Sequence, residues 1–489
     1  MSLAAASPQR QPFSLERIAG SALLIIVLLM LNKAGPPGNV LFFAILLGMI
    51  AMKPETAFKA FTICFLGLVA NQSIVLKTPI WTVARFLIPI ACLIRFAAVP
   101  LPARQGLLQR PYAIALMAFI AVAGALSIAT GYCVDIALLK LLNFTIAAFA
   151  ILLAVNVLQA RRSDMAEWYV SLILVTVLLG FATIALGISS NFRGSVEASR
   201  GLFNGPFYHS NCLGPMVSLM VVYLVCVYVF GNYRNRWICG PLALSLLYFM
   251  YLSRSRTSAI SMLVGVIFVV VLSIVLSRRG LIKLTMQVPR RAIIAALVLI
   301  LVGGFIADMA TGGGISREIV SFLNKGGRKE EIDVEQMLSS RADTIERLWH
   351  NFKESPVIGI GFEVAKSVWF QQNATLFNAP IEKGFLPMAV LEETGIIGTF
   401  FFVVFLLTFM GSLARALNVP GLAMFLTFLA VNCGEAMFFS LGGHGAFGWL
   451  LFAGGVLLGD QCVVRRVAPT PRFPLPTVWP RGLPAPGSA

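Results

Sequence analysis

The stretch IDVEQMLSSRADTIERLWHNFKESP, residues 332–356, lies within a long run, residues 309–384, that is too polar to cross a lipid bilayer. The rest of the chain is largely apolar: of its 489 residues 58% are hydrophobic and 12% are charged, and the mean hydropathy is +0.86. Soluble domains carry about 25% charged residues. The composition therefore predicts an all-α, polytopic integral membrane protein with one large helical loop.

Apolar segments of roughly 20 residues, each long enough to cross a hydrocarbon core of ~30 Å, occur on both sides of the polar run. We predict about 12–14 transmembrane helices from this pattern. The predicted spans are residues 18–33, 38–52, 57–72, 79–99, 112–130, 133–157, 167–188, 207–230, 237–252, 257–277, 292–308, 385–413, 420–440 and 445–463.

Positive charge is concentrated in the connections that follow even-numbered spans, which indicates the orientation of the chain. Both ends are then cytoplasmic, and the outer face carries residues 191–206, residues 253–256 and the long loop. The net charge of +17 is explained by this orientation, and we expect no nucleic-acid partner. The charges that follow the pattern are Lys53, Arg104, Arg110, Arg161, Arg162, Arg234, Arg236, the cluster 278–291, Arg465 and Arg466.

The expected organisation follows directly from these spans. Residues 1–308 hold transmembrane helices 1–11, residues 309–384 form the periplasmic loop, and residues 385–463 hold the last transmembrane helices. Residues 464–489 are rich in proline and predict a disordered cytoplasmic tail. Most cysteines lie inside apolar segments without the spacing of metal ligands, so we expect neither a disulfide framework nor a metal site.

Three outer segments concentrate polar residues, and the first is RGLFNGPFYHSNCLG, residues 200–214. Arg200, Asn204, His209 and Asn211 accumulate where a span begins, and a helix N-terminus favours anions. The pattern indicates an anion site or an interfacial cap with a snorkelling arginine, and both interpretations stay open. We expect His209 to make a structural hydrogen bond rather than act as a base.

The second segment is an amphipathic helix in the long loop, which ends at Pro356 before the turn Gly359-Ile-Gly361. At ~100° per residue, Arg341 falls about 50° from the centre of the apolar stripe, whereas Arg347 lies on the opposite face. Arg341 is therefore the better site candidate, and snorkelling at the stripe's edge is the alternative. The stripe consists of Leu338, Ala342, Ile345, Trp349 and Phe352.

The third segment is APIEKGFLPMAVLEETGIIG, residues 379–398, where the loop returns to the membrane. Glu382 and Lys383 stand at the water boundary, and Glu392 and Glu393 lie within an apolar run. Intramembrane carboxylates are costly and usually face a cavity or a partner. The sequence leaves open how they pair with the other charges in apolar segments, which are Arg85, Arg95, Asp135, Lys140 and Glu435.

The order of these motifs resembles the O-antigen ligase and polymerase superfamily of bacterial envelope glycosyltransferases. The resemblance runs from Phe192 to Gly398, while the first six spans match in hydropathy alone. The motifs are Arg-Gly-x-Phe-Asn-x-Pro from Arg200, Leu252-Ser-Arg-Ser-Arg256, the Arg-x(7)-Trp pair Arg341 and Trp349, Gly359-x-Gly361, and Leu391-x-Glu-x-Gly-Ile-Ile-Gly398.

The resemblance implies a fold of the GT-C type in the bacterial inner membrane, with a glycan donor on undecaprenyl pyrophosphate, a glycan acceptor and no required metal or cofactor. It also suggests a chain-length regulator and a flippase of the same pathway as partners. Arg200 and Arg341 correspond to arginines that hold the pyrophosphate. The remaining substrate-binding candidates are Arg254, Asn204, His209, Asn211, Trp349 and Lys383.

One departure from the family pattern bears on the reaction. Ligases usually carry a His-Asn pair where the loop returns to the membrane, but this chain offers Asn378 and Glu382 there. We therefore expect a polymerase of exopolysaccharide or O-antigen repeat units, with Glu382 acting on the acceptor hydroxyl. The alternatives are an O-antigen ligase that transfers glycan to lipid A-core and, from another class, a lipid-linked oligosaccharide flippase.

The orientation predicts which positions react with a membrane-impermeant thiol reagent. In cells whose periplasm is accessible, a cysteine placed at Ser321 should be labelled and an Arg279→Cys variant should be protected, because the first position lies in the long loop and the second on the cytoplasmic side. Labelling of the second position with protection of the first would invert the topology.

Overall fold

The computed structural model describes residues 13–101, 106–161, 163–188, 202–231, 233–279, 334–375, 383–441 and 443–462. Apart from short 3-10 turns and one isolated bridge, the regular elements in these ranges are α-helices, as predicted. They are α1 (Leu15–Leu31), α2 (Pro36–Met52), α3 (Pro54–Val69), α4 (Ile80–Ala97), α5 (Pro111–Thr130), α6 (Val134–Ala160), α7 (Ala166–Ala185), α8 (Ser210–Phe230), α9 (Cys239–Ser253), α10 (Arg256–Arg278), α11 (Val334–Glu354), α12 (Val368–Asn373), α13 (Leu386–Arg415), α14 (Val419–Asn432) and α15 (His444–Cys462).

Eight of the helices in the described ranges are long and apolar enough to cross a membrane, so the fold is that of a multi-pass membrane protein. Most predicted spans agree with the helices to within about three residues. The predicted span 292–308 lies outside the described residues. The predicted span 420–440 is too long, because α14 ends at Asn432, whose Oδ1 accepts hydrogen bonds from the N–H groups of Met437 and Phe438.

The helix ends sort onto two faces, as the charge pattern predicted. On one face the N–H of Asn71 donates to the carbonyl of Pro206, and the N–H of Phe362 donates to Ser127 Oγ. We call this the loop face, because Phe362 belongs to the segment after α11. It gathers the connections that follow α3, α5 and α7, all of which were predicted to be on the outer side.

The opposite face gathers the connections that carry the positive charges. Ser163 Oγ donates to Glu55 Oε1 at 2.8 Å, and the Tyr233 hydroxyl donates to Asp164 at 2.9 Å. Helix α9 packs along α8 and ends at the loop face, where Ser255 contacts the position of Gly214. It therefore runs from the opposite face to the loop face.

An aromatic cluster ties the long loop to the membrane domain. The ring of Phe362 lies 5.1 Å from Phe439, 5.8 Å from Phe144 and 6.4 Å from Phe119, measured between ring centroids. Offset and edge-on ring pairs at such distances are favourable beyond the apolar area that they bury. The loop segment after α11 is thus anchored in the core and holds the polar residues around it in fixed positions.

Candidate functional site

The return segment, residues 383–398, carries a buried charge cluster. The ammonium of Lys383 lies 2.6 Å from Glu392 Oε2 and 2.9 Å from Glu393 Oε1, and Lys383 is only 5% exposed. Asn351 of α11 donates from Nδ2 to Glu392 Oε1 at 2.6 Å. The sequence placed Lys383, Glu392 and Glu393 near the site but did not pair them. The cluster joins α11 to α13 at the loop face.

Burial and the neighbouring charges shift the pKa of Lys383 in opposite directions. Burial alone would lower the pKa of its ammonium, but the nearby carboxylates of Glu393 and Glu392 outweigh burial and raise the pKa. The side chain therefore stays charged. Removing one partner from such a buried pair typically costs about 3–5 kcal/mol, because the remaining charge is left uncompensated.

A break in α13 supplies hydrogen-bonding groups next to this cluster. Gly395 has a φ of +59°, which interrupts the helix and leaves carbonyl and N–H groups without their usual partners. The turn at 356–361 takes up these groups. The N–H of Ile360 donates to the carbonyl of Glu392 and the N–H of Gly361 to that of Glu393, both at 2.9 Å, while the N–H of Ile396 donates to the carbonyl of Pro356 at 2.9 Å.

Gly359 makes this approach possible. Its φ is +72°, and a Cβ at this position would lie 2.5 Å from the carbonyl oxygen of Glu393. A glycine has neither the conformational penalty nor the side chain, so the two backbones can touch. The Gly359-x-Gly361 motif therefore docks on the kinked helix and does not form a nucleotide-type phosphate loop.

Helix α6 and the connection before it hold the same loop from the other side. Lys140 donates from Nζ to the carbonyl of Glu363 at 2.8 Å, and the Tyr132 hydroxyl donates to the carbonyl of Ala365 at 3.0 Å. Burial raises the pKa of Glu363, which opposes its ionisation. Of the charges whose pairing the sequence left open, Lys140 is thus part of the loop anchor.

The other such charges make contacts outside the Lys383 cluster. Arg95 donates from Nη2 to the carbonyl of Met52 at 2.8 Å, and Arg85 lies over the ring of Phe86 at 5.1 Å. Asp135 is exposed at the start of α6, and Glu435 is half-buried after α14. The cluster at Lys383 is therefore built from the return segment and α11.

The amphipathic helix forms as α11, but its buried face is rotated from the prediction. Leu348 and Phe352 are 2% and 8% exposed, whereas Trp349 is 46% exposed and stacks on Phe352 at 5.2 Å. Ala342 is exposed as well. The prediction that Trp349 and Ala342 lie on the buried face was wrong. The Asn351–Glu392 contact turns the face with Leu348 and Phe352 toward α13 instead.

Arg341 and Arg347 can be placed on this rotated helix. Position 341 lies seven residues before Leu348, which is about 20° away in helical projection, so its backbone is on the packed face. The side chain of Arg341 lies outside the described residues. Arg347 is exposed, as predicted. Trp349 presents an accessible aromatic surface, and its substrate role stays a prediction.

A second polar region surrounds the start of α8. His209 accepts at Nδ1 a hydrogen bond of 3.0 Å from the N–H of Asn211 and so caps the helix, which is the structural role that the sequence favoured. Asn204 is 5% exposed, and Asn211 is exposed. Two further backbone contacts, from Asn71 to Pro206 and from Tyr208 to Val69, fix this region to the α3–α4 connection.

Arg254 lies beside the same region. It follows α9 with a φ of +52°, and its guanidinium lies 5.9 Å from the ring centroid of Tyr251. The adjacent Ser255 occupies the space where a Cβ of Gly214 would project, so α8 and the Ser-Arg-Ser-Arg turn are in contact. The structure thus places the turn that carries Arg254 against the first turn of α8, which carries Asn211.

The remaining predicted residues are not described. Arg200, Asn378 and Glu382 lie outside the described residues, so their predicted roles stay predictions. Among the described residues, no three His, Cys, Asp or Glu side chains are grouped as metal ligands. Sequence reasoning missed Asn351. Its position three residues after Leu348, on the packed face of a polar helix, was the available signal.

Gly359→Ala tests whether the turn docks on α13 as described. The added methyl group meets the backbone of Glu393 and requires a positive φ, so we expect a loss of thermal stability of several degrees and loss of activity. Gly240→Ala is the matched control, since nothing lies within 4 Å of its Cβ. Equal unfolding temperatures for both variants, measured in detergent, would contradict the docking.

The comparison with protein families bears on this arrangement. Residues 241–403 match the model of the O-antigen ligase family. The matched range includes the turn at Arg254, helix α11 and the return segment, and it ends before the last two helices; the start of α8 precedes it. No curated protein matches the chain. The match at residues 241–403 is consistent with the O-antigen ligase and polymerase superfamily and with a ligase- or polymerase-type role in glycan assembly.

Proposed function

We propose that this protein polymerises oligosaccharide repeat units carried on undecaprenyl pyrophosphate, at the periplasmic face of the bacterial inner membrane. The observation that carries the proposal is the buried cluster of Lys383, Glu392 and Glu393, which fixes the loop of the O-antigen ligase domain against the membrane helices. A rigid, partly dry loop face suits chemistry in which charge develops on a leaving group.

The proposed reaction transfers a glycan from a diphosphate to a hydroxyl group. The acceptor oxygen attacks the anomeric carbon of the donor glycan, and the bond from that carbon to the diphosphate oxygen breaks. Glu382 takes the proton of the hydroxyl, while Arg200 and Arg341 stabilise the departing diphosphate. Arginine suits this task because its planar guanidinium binds phosphate through two hydrogen bonds and does not titrate.

The pairing of Lys383 supports the proposal that Glu382 acts as the base. A neighbouring lysine could simply neutralise Glu382, but the ammonium of Lys383 is already held by Glu392 and Glu393. A base in this reaction contributes about 10²- to 10⁴-fold in rate. Arg254, Asn204, His209, Asn211, Trp349 and Lys383 are proposed to bind or border the substrates.

The absence of a histidine from the sequence of the return favours a polymerase over a ligase. The ligase remains the second candidate, because the matched family is named for that reaction. The flippase alternative receives less support, because transport does not require a loop anchored to the membrane helices by buried charges.

A purified-protein assay tests the proposal. The full chain in detergent is given a lipid-linked repeat unit, with and without a lipid A-core acceptor. We expect glycans of several repeat units to form on the lipid carrier. Transfer to the core lipid alone would identify a ligase, and the absence of transfer together with movement of the lipid across vesicles would identify a transporter.

Replacement of the two arginines tests the leaving-group role. Arg200→Ala and Arg341→Ala should abolish polymer formation while the protein still inserts, and lysine should restore little activity because an ammonium cannot form the planar pair of hydrogen bonds. Arg347→Ala, on the exposed face of α11, is the matched control and should have a mild effect. Near-normal polymer yield from Arg341→Ala would exclude its role.

Glu382→Gln tests the base assignment. The variant keeps the size and hydrogen bonding of the side chain but removes its charge, so turnover should fall about 10²-fold or more with donor affinity unchanged. An exposed ion pair at this position would contribute ~1 kcal/mol or less and would leave turnover within a few-fold of the parent. Loss of donor binding with normal turnover at saturation would also contradict the assignment.

A further inference from the structure

The α3–α4 connection places a cation beside the start of α8 that no motif indicated. Lys77 is half-buried, and its ammonium lies 5.1 Å from the ring centroid of Tyr208. In the part of the chain that the structure describes, no carboxylate forms an ion pair with it. Burial lowers the pKa of Lys77 to about 8. An anion that approaches from the loop face would stabilise the charged form of this ammonium.

Three buried polar atoms in the same region have no hydrogen-bond partner among the described residues. They are Thr78 Oγ1, Asn204 Oδ1 and Ser210 Oγ. Asn204 and Ser210 are each 5% exposed, so solvent does not reach them freely. Buried polar groups are nearly always hydrogen-bonded in native proteins. A ligand that both donates and accepts hydrogen bonds would satisfy this set.

Tyr208 contacts two of these groups, Asn204 and Lys77, and Thr78 and Ser210 are near them in sequence. Asn204 donates from Nδ2 to the carbonyl of Tyr208 at 3.5 Å, and the ammonium of Lys77 lies over the Tyr208 ring. The Tyr208 hydroxyl is 3.0 Å from His444 Nδ1, at the start of α15. Ser210 is the first residue of α8, where the helix dipole favours an anion.

We propose that Lys77, Thr78, Ser210 and Asn204 bind a phosphate group that is joined to a hydroxylated sugar. The ammonium and the two hydroxyl groups donate to phosphate oxygens, and Asn204 Oδ1 accepts from a sugar hydroxyl. Free phosphate offers no such sugar hydroxyl. The inference deepens the proposed function and rests on it for the identity of the natural ligand, which would be the glycosyl diphosphate end of the donor.

Binding of two simple probes to the full chain in detergent tests the site. Glucose 1-phosphate carries both a phosphate and sugar hydroxyls, whereas inorganic phosphate carries the anion alone. Lys77→Met should weaken the binding of both probes about tenfold or more, as expected for a lost charged hydrogen bond. Asn204→Ala should weaken glucose 1-phosphate several-fold and leave inorganic phosphate unchanged. Lys366→Gln, which removes a lysine paired with Glu354 on the same face, is the matched control.

Each outcome decides a separate point. Parent-like binding of both probes by Lys77→Met would overturn the site, whether or not polymer forms. If Asn204→Ala weakens both probes equally, the site takes a free phosphate or a lipid headgroup phosphate, and the sugar assignment is wrong. If Lys77→Met does not insert into the membrane, Ser210→Ala tests the site instead. We expect this variant to bind both probes several-fold more weakly, and parent-like binding would overturn the site. If the probe results hold but the parent forms no polymer, the site stands and the proposed function fails.

Discussion

The ammonium of Lys383 lies where water has little access, and two carboxylates of α13 hold it there. Desolvation makes each of these charges costly alone, so the three side chains stabilise one another only while all are in place. Asn351 extends the cluster to α11 through Glu392. The position of the loop helix, and with it the backbone of Arg341, therefore depends on this group of buried charges.

The backbone around the cluster follows the same constraint. A loop buried against a membrane helix must satisfy its N–H and carbonyl groups without water. The break at Gly395 releases such groups from α13, and the turn at Gly359 and Gly361 pairs with them. The loop and the helix thus form one unit, with Phe362 inserted among core rings. This unit explains why two separate glycine motifs occur in the sequence.

The helices were predictable because the thickness of the bilayer sets the length of an apolar segment, and positive charge marks the connections between segments. Most predicted span ends agree with the structure. The capping role of His209 was also accessible from its position before a span. The pairing of Lys383 with Glu392 and Glu393 was not, since charges nine and ten residues apart meet only through the geometry of the return. The rotation of α11 depends on Asn351, a polar residue that periodicity of apolar positions ignores. Lys77 comes from a connection distant in sequence from α8.

Hydrogen exchange of the amides of Ile360 and Gly361 tests the central claim most directly. These N–H groups donate to the carbonyls of Glu392 and Glu393, beside the ion pairs of Lys383. In Lys383→Met, two carboxylates remain without their cation, so exchange at both amides should accelerate about tenfold or more relative to the parent, while Lys366→Gln should leave it unchanged. Parent-like protection of both amides in Lys383→Met would contradict the claim that the buried charges hold the loop on the membrane domain.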